Sequence, residues 1–229
     1  MIITFKDSWK IRTTGEWIAK FDKSKNSEDG KSAKSLAEFC QRKDAEQILR
    51  DILQPVLCSD LVFDVVTPEY QTKFDNYGKG RMHDLAIKGK NSKTSFFVGV
   101  EAKVNEAFGT KLCSAYKNSL KRESTNFPAR IEELLANYFP QITLDSDLPY
   151  QLFYSTVSCI KDAEQSILLI MVFETKETNE KSVEKNKKAL ESFLNSCHAT
   201  LVSTINGNEY YELYIGNKKL NVIYSKIKQ

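Results

Sequence analysis

Gly80-Arg-Met-His-Asp-Leu-Ala-Ile-Lys-Gly-Lys-Asn-Ser-Lys-Thr-Ser-Phe-Phe-Val-Gly-Val-Glu-Ala-Lys103 is the stretch whose reading decides the fold. Residues 82–87 and 96–104 are apolar runs of strand length, and residues 89–93 are turn chemistry, so the stretch reads as a β-hairpin. Three ionisable residues interrupt it: Asp84, Glu101 and Lys103. Strand side chains alternate faces, which puts Glu101 and Lys103 on one face, roughly 6–7 Å apart at Cα, with Val100 and Ala102 on the other. Asp84, on the partner strand, can come alongside. A charge flanked by Phe97, Val98, Val100 and Val104 needs a partner. Two adjacent carboxylates repel unless a cation lies between them, and hard divalent ions take one or two carboxylates while sharing a substrate phosphate. A lysine beside such an ion orients the attacking water and offsets charge on the phosphate. The pattern suits metal-assisted phosphodiester hydrolysis. The plainer alternative is a Glu–Lys pair on a solvated strand face.

Composition sets the outer bounds. The 229 residues suffice for one α/β domain with elaborations, and 41% hydrophobic residues supply a core. A net charge of +3 neither indicates nor excludes nucleic-acid binding. The five cysteines are dispersed with no Cys-x-x-Cys, and there are two histidines, which argues against structural zinc and for a reducing compartment. Charges follow the first five residues at once, so no signal peptide is expected. The apolar run at 167–173 is too short to span a membrane, so the expectation is a cytoplasmic protein without a membrane partner.

Along the chain, 2–5 reads as an edge strand, 15–21 as a short helix and 23–30 as a polar loop. Ser32 and Asp44 are expected N-caps of helices across 32–53, closed by Pro55. Residues 61–66 form a strand that Pro68 ends, and 69–80 is a polar connection, mobile before substrate binds. A helix across 109–120 carries Lys111 and Lys117, with Lys121 and Arg122 just beyond. These four can meet phosphates or simply form a solvated face. Asn126 is expected to cap a helix running to Phe139. A helix over 148–164 buries Leu152 and Phe153 and turns Gln151, Tyr154, Ser155 and Ser158 to another face at i, i+3, i+4, i+7 spacing. The run 167–173 is a strand buried on both faces. A charge-dense helix follows, then a three-stranded meander turning at Asn206-Gly207 and Gly216-Asn217.

An Asp, a hairpin and then Glu-x-Lys resembles the PD-(D/E)XK, or restriction-endonuclease-like, nuclease superfamily. His83 stands where that family usually has proline. Val104-Asn-Glu-Ala-Phe-Gly109 and Tyr150-Gln-Leu-Phe-Tyr154 resemble an uncharacterised bacterial subfamily of it, over residues 32–173. The resemblance implies a mixed sheet flanked by helices, in one domain over 1–229 with its core at 32–173 and a C-terminal β-meander elaboration at 174–229. It implies Mg²⁺ or Mn²⁺ held by Asp84, Glu101 and the Ala102 carbonyl, and Lys103 as the catalytic lysine. Gln151 matches a glutamine on the helix packed beside the site. The family's upstream acid falls on Glu46, with Glu38 as the alternative. The implied partner is nucleic acid, DNA first, with a homodimer as the candidate assembly. Two other readings stay open: a catalytically silent module of this fold that binds nucleic acid or protein, and a structural domain whose charged trio is a buried ion network.

Overall fold

The computed structural model describes residues 1–4, 10–21, 31–58, 60–78, 80–122, 125–161 and 163–229. The expected loop at 23–30 lies outside them.

The hairpin forms between β4 (Arg81–Lys90) and β5 (Ser95–Lys103), antiparallel, with Leu85 opposite Val100 and Ile87 opposite Val98. Its turn is closed by Asn91, whose Oδ1 accepts the amides of Lys93 (2.9 Å) and Thr94 (3.0 Å). Around it lies a nine-stranded mixed sheet in the order β2-β1-β3-β4-β5-β6-β9-β8-β7. The other strands are β1 (Ile3–Thr4), β2 (Lys10–Ile11), β3 (Val62–Thr72), β6 (Gln165–Glu174), β7 (Thr200–Ile205), β8 (Asn208–Ile215) and β9 (Lys218–Lys228). β6 runs parallel to both β5 and β9, and is buried along Ser166 to Phe173 as a central strand must be.

Helices cover both faces. α2 (Ser32–Gln41) and α3 (Ala45–Leu57) bury Leu36, Phe39, Leu49 and Leu53 in one core with Leu85, Ile87, Val98 and Val100, which Trp17 of α1 (Thr14–Phe21) joins. On the opposite face are α4 (Leu112–Leu120), α5 (Phe127–Tyr138), α6 (Tyr150–Cys159) and α7 (Glu180–Ser196). They bury Leu112, Ile131, Leu152, Phe153 and Phe193 against Ala86 and Phe97. The C-terminal meander extends the same sheet, and Tyr210, Ile223 and Ile227 enter the first core. Its Asn206-Gly207 turn has both residues at positive φ (52° and 79°), the pairing that matches strand twist.

Several local expectations are corrected. Pro68 does not end β3, which continues to Thr72 with Pro68 opposite Leu85. Among the described residues β1 pairs β3 only at Val66, and Pro68 costs β3 one N–H donor without ending the strand. Pro55 sits inside α3, close enough to its end that few helix bonds are lost. Ser32 is not a cap. Lys31 holds that position and the Ser32 amide is taken by Glu106. Neither Asp44 nor Asn126 makes a side-chain cap bond, Asp44 being drawn off by Arg42. The connection after β3 is tied down, because Arg130 of α5 donates to Asp75 at 2.5 Å and lies over the Phe74 ring.

Gly99 is where β5 meets α6. A Cβ there would stand 2.5 Å from His83 Cε1 and 2.7 Å from Cys159 Sγ. Gly99→Ala is therefore expected to cost about 1–3 kcal/mol by overpacking. An unchanged urea midpoint for this variant would show that the His83 ring gives way freely.

Candidate active site

Strand β5 ends in the charged part of the expected trio. Glu101 is fully buried and Lys103 is 6% exposed, with Lys103 Nζ 3.7 Å from Glu101 Oε2. The stem of α6 completes the shell of Glu101. Gln151 Nε2 donates to its Oε2 at 2.5 Å, and Ser155 Oγ, one turn on, donates to its Oε1 at 2.8 Å. Ser158, from the same α6 face, lies 3.0 Å from His83 Nε2. Leu152 and Phe153 point into the core as expected.

Asp84 arrives by a backbone irregularity. Strict alternation would put His83 on the side of Leu85 and Ile87, but His83 packs on Phe97 and Gly99 on the opposite face of the sheet. The β4–β5 ladder ends at Leu85–Val100, and the next β5 amide, Ala102 N–H, is accepted by Asp84 Oδ2 at 2.7 Å. A side-chain carboxylate thus stands where a ladder carbonyl would be. Across β4, Glu69 adopts φ 48°, left-handed for a non-glycine residue, and the β3–β4 register sets it opposite Asp84. Irregularities of this kind re-aim side chains and concentrate near functional sites.

The electrostatics follow from this crowding. Burial, and then the charge of Asp84, push the Glu101 carboxyl up to about 8, against the pull of Lys103 and Ser155. Asp84 is also raised, by burial above all, although Lys103 and the Ala102 amide pull it down. Glu69 is raised to about 7 by burial and by Asp84. Glu106 goes the other way: burial works against its charge, but the amides of Ser32 (2.8 Å) and Val104 (3.0 Å) hold it below the usual carboxylate range. Glu69 and Glu106 were not expected at the site. Glu69 is hidden in what reads as a loop after Pro68.

The remaining expected residues fall elsewhere. Glu46 is held by Arg50 at 2.7 Å and by the N-terminal amine at 3.0 Å, and Glu38 lies 3.8 Å from Lys34. Both belong to the helices on the first-core face, whereas the Glu101 shell is built by α6 on the other. Lys111 is paired with Asp147 at 2.7 Å, while Lys117, Lys121 and Arg122 are exposed. Among the described residues no three His, Cys, Asp or Glu side chains form a ready metal cage. The donor set is of the kind a hard divalent ion that brings its own waters takes: two neighbouring carboxylates, raised by burial above all, and a backbone carbonyl. N–H and C=O of one strand residue point the same way, so the Ala102 carbonyl shares the Asp84 side of β5 with its amide.

Fold and site define a mixed α/β protein with a buried carboxylate–lysine cluster at the end of its central hairpin. The chain belongs to the family described as a domain of unknown function, DUF6946, which matches residues 10–223. No curated protein and no solved structure matches it. Among the described residues no helix is long and apolar enough to cross a membrane.

Proposed function

We propose that this protein is a divalent-metal-dependent nuclease with a restriction-endonuclease-like core, hydrolysing phosphodiester bonds, with DNA as the first substrate to test. One observation carries the reading: a fully buried Glu101, clamped by Gln151 and Ser155, shares its surroundings with Asp84 and Lys103. A buried ion pair alone requires one acid and one base. Once both carboxyls ionise, the second acid leaves an excess of negative charge that a cation would balance. The order α3, β3, β4, β5, helices, β6 supports the fold assignment.

In this reading Asp84, Glu101 and the Ala102 carbonyl hold Mg²⁺ or Mn²⁺, which when bound polarises a phosphoryl oxygen and acidifies water. Lys103 orients the attacking water and offsets the negative charge that grows on the phosphate. Gln151 and Ser155 fix the Glu101 rotamer, which keeps its oxygens in place without relying on the ion. Cleavage of a mixed nucleic-acid panel with Mg²⁺, Mn²⁺ or EDTA tests the proposal. Binding without cleavage in every metal would favour the silent module, and neither metal uptake nor nucleic-acid binding would leave a structural ion network.

Lys117, Lys121 and Arg122 are the exposed cations just beyond the site. If they neutralise phosphates, the Lys117→Ala, Lys121→Ala, Arg122→Ala triple variant should flatten the salt dependence of duplex binding, by about 0.9 in log–log slope per lost contact. An unchanged slope assigns them to the solvated face.

A further inference from the structure

A second feature abuts the site and the trio does not use it. Arg81, at the start of β4, lies in a cage of aromatic rings. Its guanidinium carbon is 4.7 Å from the Tyr154 ring centroid, 5.4 Å from Phe127 and 5.5 Å from Tyr150. The rings brace one another, Phe127 to Tyr150 at 5.6 Å and Tyr150 to Tyr154 at 5.2 Å. Among the described residues Arg81 has no carboxylate partner. Its polar contact is a 3.5 Å hydrogen bond to the Tyr150 hydroxyl, and its Nε is buried without any. A guanidinium so enclosed is a fixed positive charge awaiting an anion.

The cage forms one wall of a cavity of about 340 Å³ between α4, α5 and α6. Arg122 lines it too, as does Gln151, the residue that donates to Glu101. Cavity and trio therefore share a wall one side chain thick. Phe127 and Tyr154 are half-buried and line the same space.

We infer that this cavity receives one unpaired nucleotide of the substrate strand, beside the phosphate presented to Asp84, Glu101 and Lys103. Arg81 and Arg122 hold its phosphate, and its base stacks on the Phe127 and Tyr154 rings. The inference rests on the nuclease reading for its orientation, though not for binding itself. The cavity is at the small end of ligand pockets and has room for a nucleotide but not for a stacked duplex. A paired base would have to leave its stack at a cost of a few kcal/mol, which an unpaired strand avoids. Aromatic rings interleaved with arginines are the equipment of single-strand binding.

The test is fluorescence anisotropy in Ca²⁺ with a short labelled DNA single strand and the blunt duplex of the same sequence. The strand should bind at least roughly tenfold more tightly, and Arg81→Ala should weaken strand binding roughly 5–100-fold while changing duplex binding little. Arg81→Lys should recover only part of this, since it keeps charge but loses the planar fork. Arg122→Glu alters an exposed rim residue and should lower strand affinity in a protein whose fold is untouched. Equal affinity for strand and duplex, equal loss on both in Arg81→Ala, or unchanged strand affinity in Arg122→Glu, overturns the inference. Strand preference without Mg²⁺-dependent cleavage would sustain it while the nuclease reading falls. Cleavage of duplex and strand alike, at equal affinity, would do the reverse.

Discussion

A Lys103→Ala variant is expected to take up Ca²⁺ at least as tightly as the wild type and to hydrolyse nucleic acid roughly 10²–10⁴-fold more slowly. The ammonium lies 3.7 Å from Glu101 Oε2 and ligates nothing in the proposed arrangement, so its removal leaves the carboxylates in place. What is lost is the charge that steadies the phosphate and the hydrogen bond that orients water. Glu101→Gln acts on the other half. It preserves shape but removes a ligand charge, so Ca²⁺ affinity and Mg²⁺-dependent cleavage should both collapse. The two variants should also part in EDTA. Above about pH 8, where the metal-free Glu101 is ionised, Glu101→Gln should bind nucleic acid as tightly as the wild type or more so, a repulsive carboxylate being gone, and Lys103→Ala slightly more weakly. Calorimetric titration with Ca²⁺, run beside single-turnover cleavage in Mg²⁺, separates the effects. If wild type and Glu101→Gln take up Ca²⁺ equally, the carboxylates are not ligands and the enzyme reading gives way to a binding module.

Local chemistry explains which parts of this site can be read in the sequence. The hairpin is encoded by two apolar runs about a turn closed by Asn91, so its register follows from residues near in sequence. Helical spacing groups Gln151, Tyr154, Ser155 and Ser158, and the structure turns Gln151 and Ser155 to Glu101, Ser158 to His83 and Tyr154 to Arg81. Periodicity fails where the backbone breaks it. Glu69 is concealed because a proline on a strand reads as a strand end, and because its left-handed φ follows from no local preference. Glu106 caps α2 from a loop 74 residues away, a long-range contact that displaces the expected Ser32 cap. The choice between Glu46 and Glu38 is not legible in the sequence for a related reason. A helical pattern shows which side of a helix is buried, but not which end of the sheet its polar residues meet.

The metal-free protein is expected to lose stability as pH rises from about 4.5 to about 8, the interval between the ordinary value for a glutamate and that of buried Glu101. Below this window both the folded and unfolded chains hold the proton. Within it the unfolded chain releases a proton that the folded one keeps, so the folded state binds more protons and stability falls with pH. Above it the loss is complete, on the order of a few kcal/mol. Glu69, raised to about 7, and Asp84, raised by burial, add in the same direction. The carboxylates held low by partners, such as Glu106 and Asp147, act in the opposite sense but at pH values below the window. Metal uptake is the mirror image, since a ligand must give up its proton. Ca²⁺ affinity should climb by up to about tenfold per pH unit for each ligand proton released, and the Glu101 contribution should level off above pH 8. Urea denaturation in EDTA and Ca²⁺ titration across this range should agree, Glu101→Gln showing a shallower stability slope because its amide has no proton to lose. Stability that rises with pH through the window, or identical slopes in the two proteins, would mean that Glu101 is already ionised in the folded chain, its charge fully met by Lys103, and that no further cation is called for.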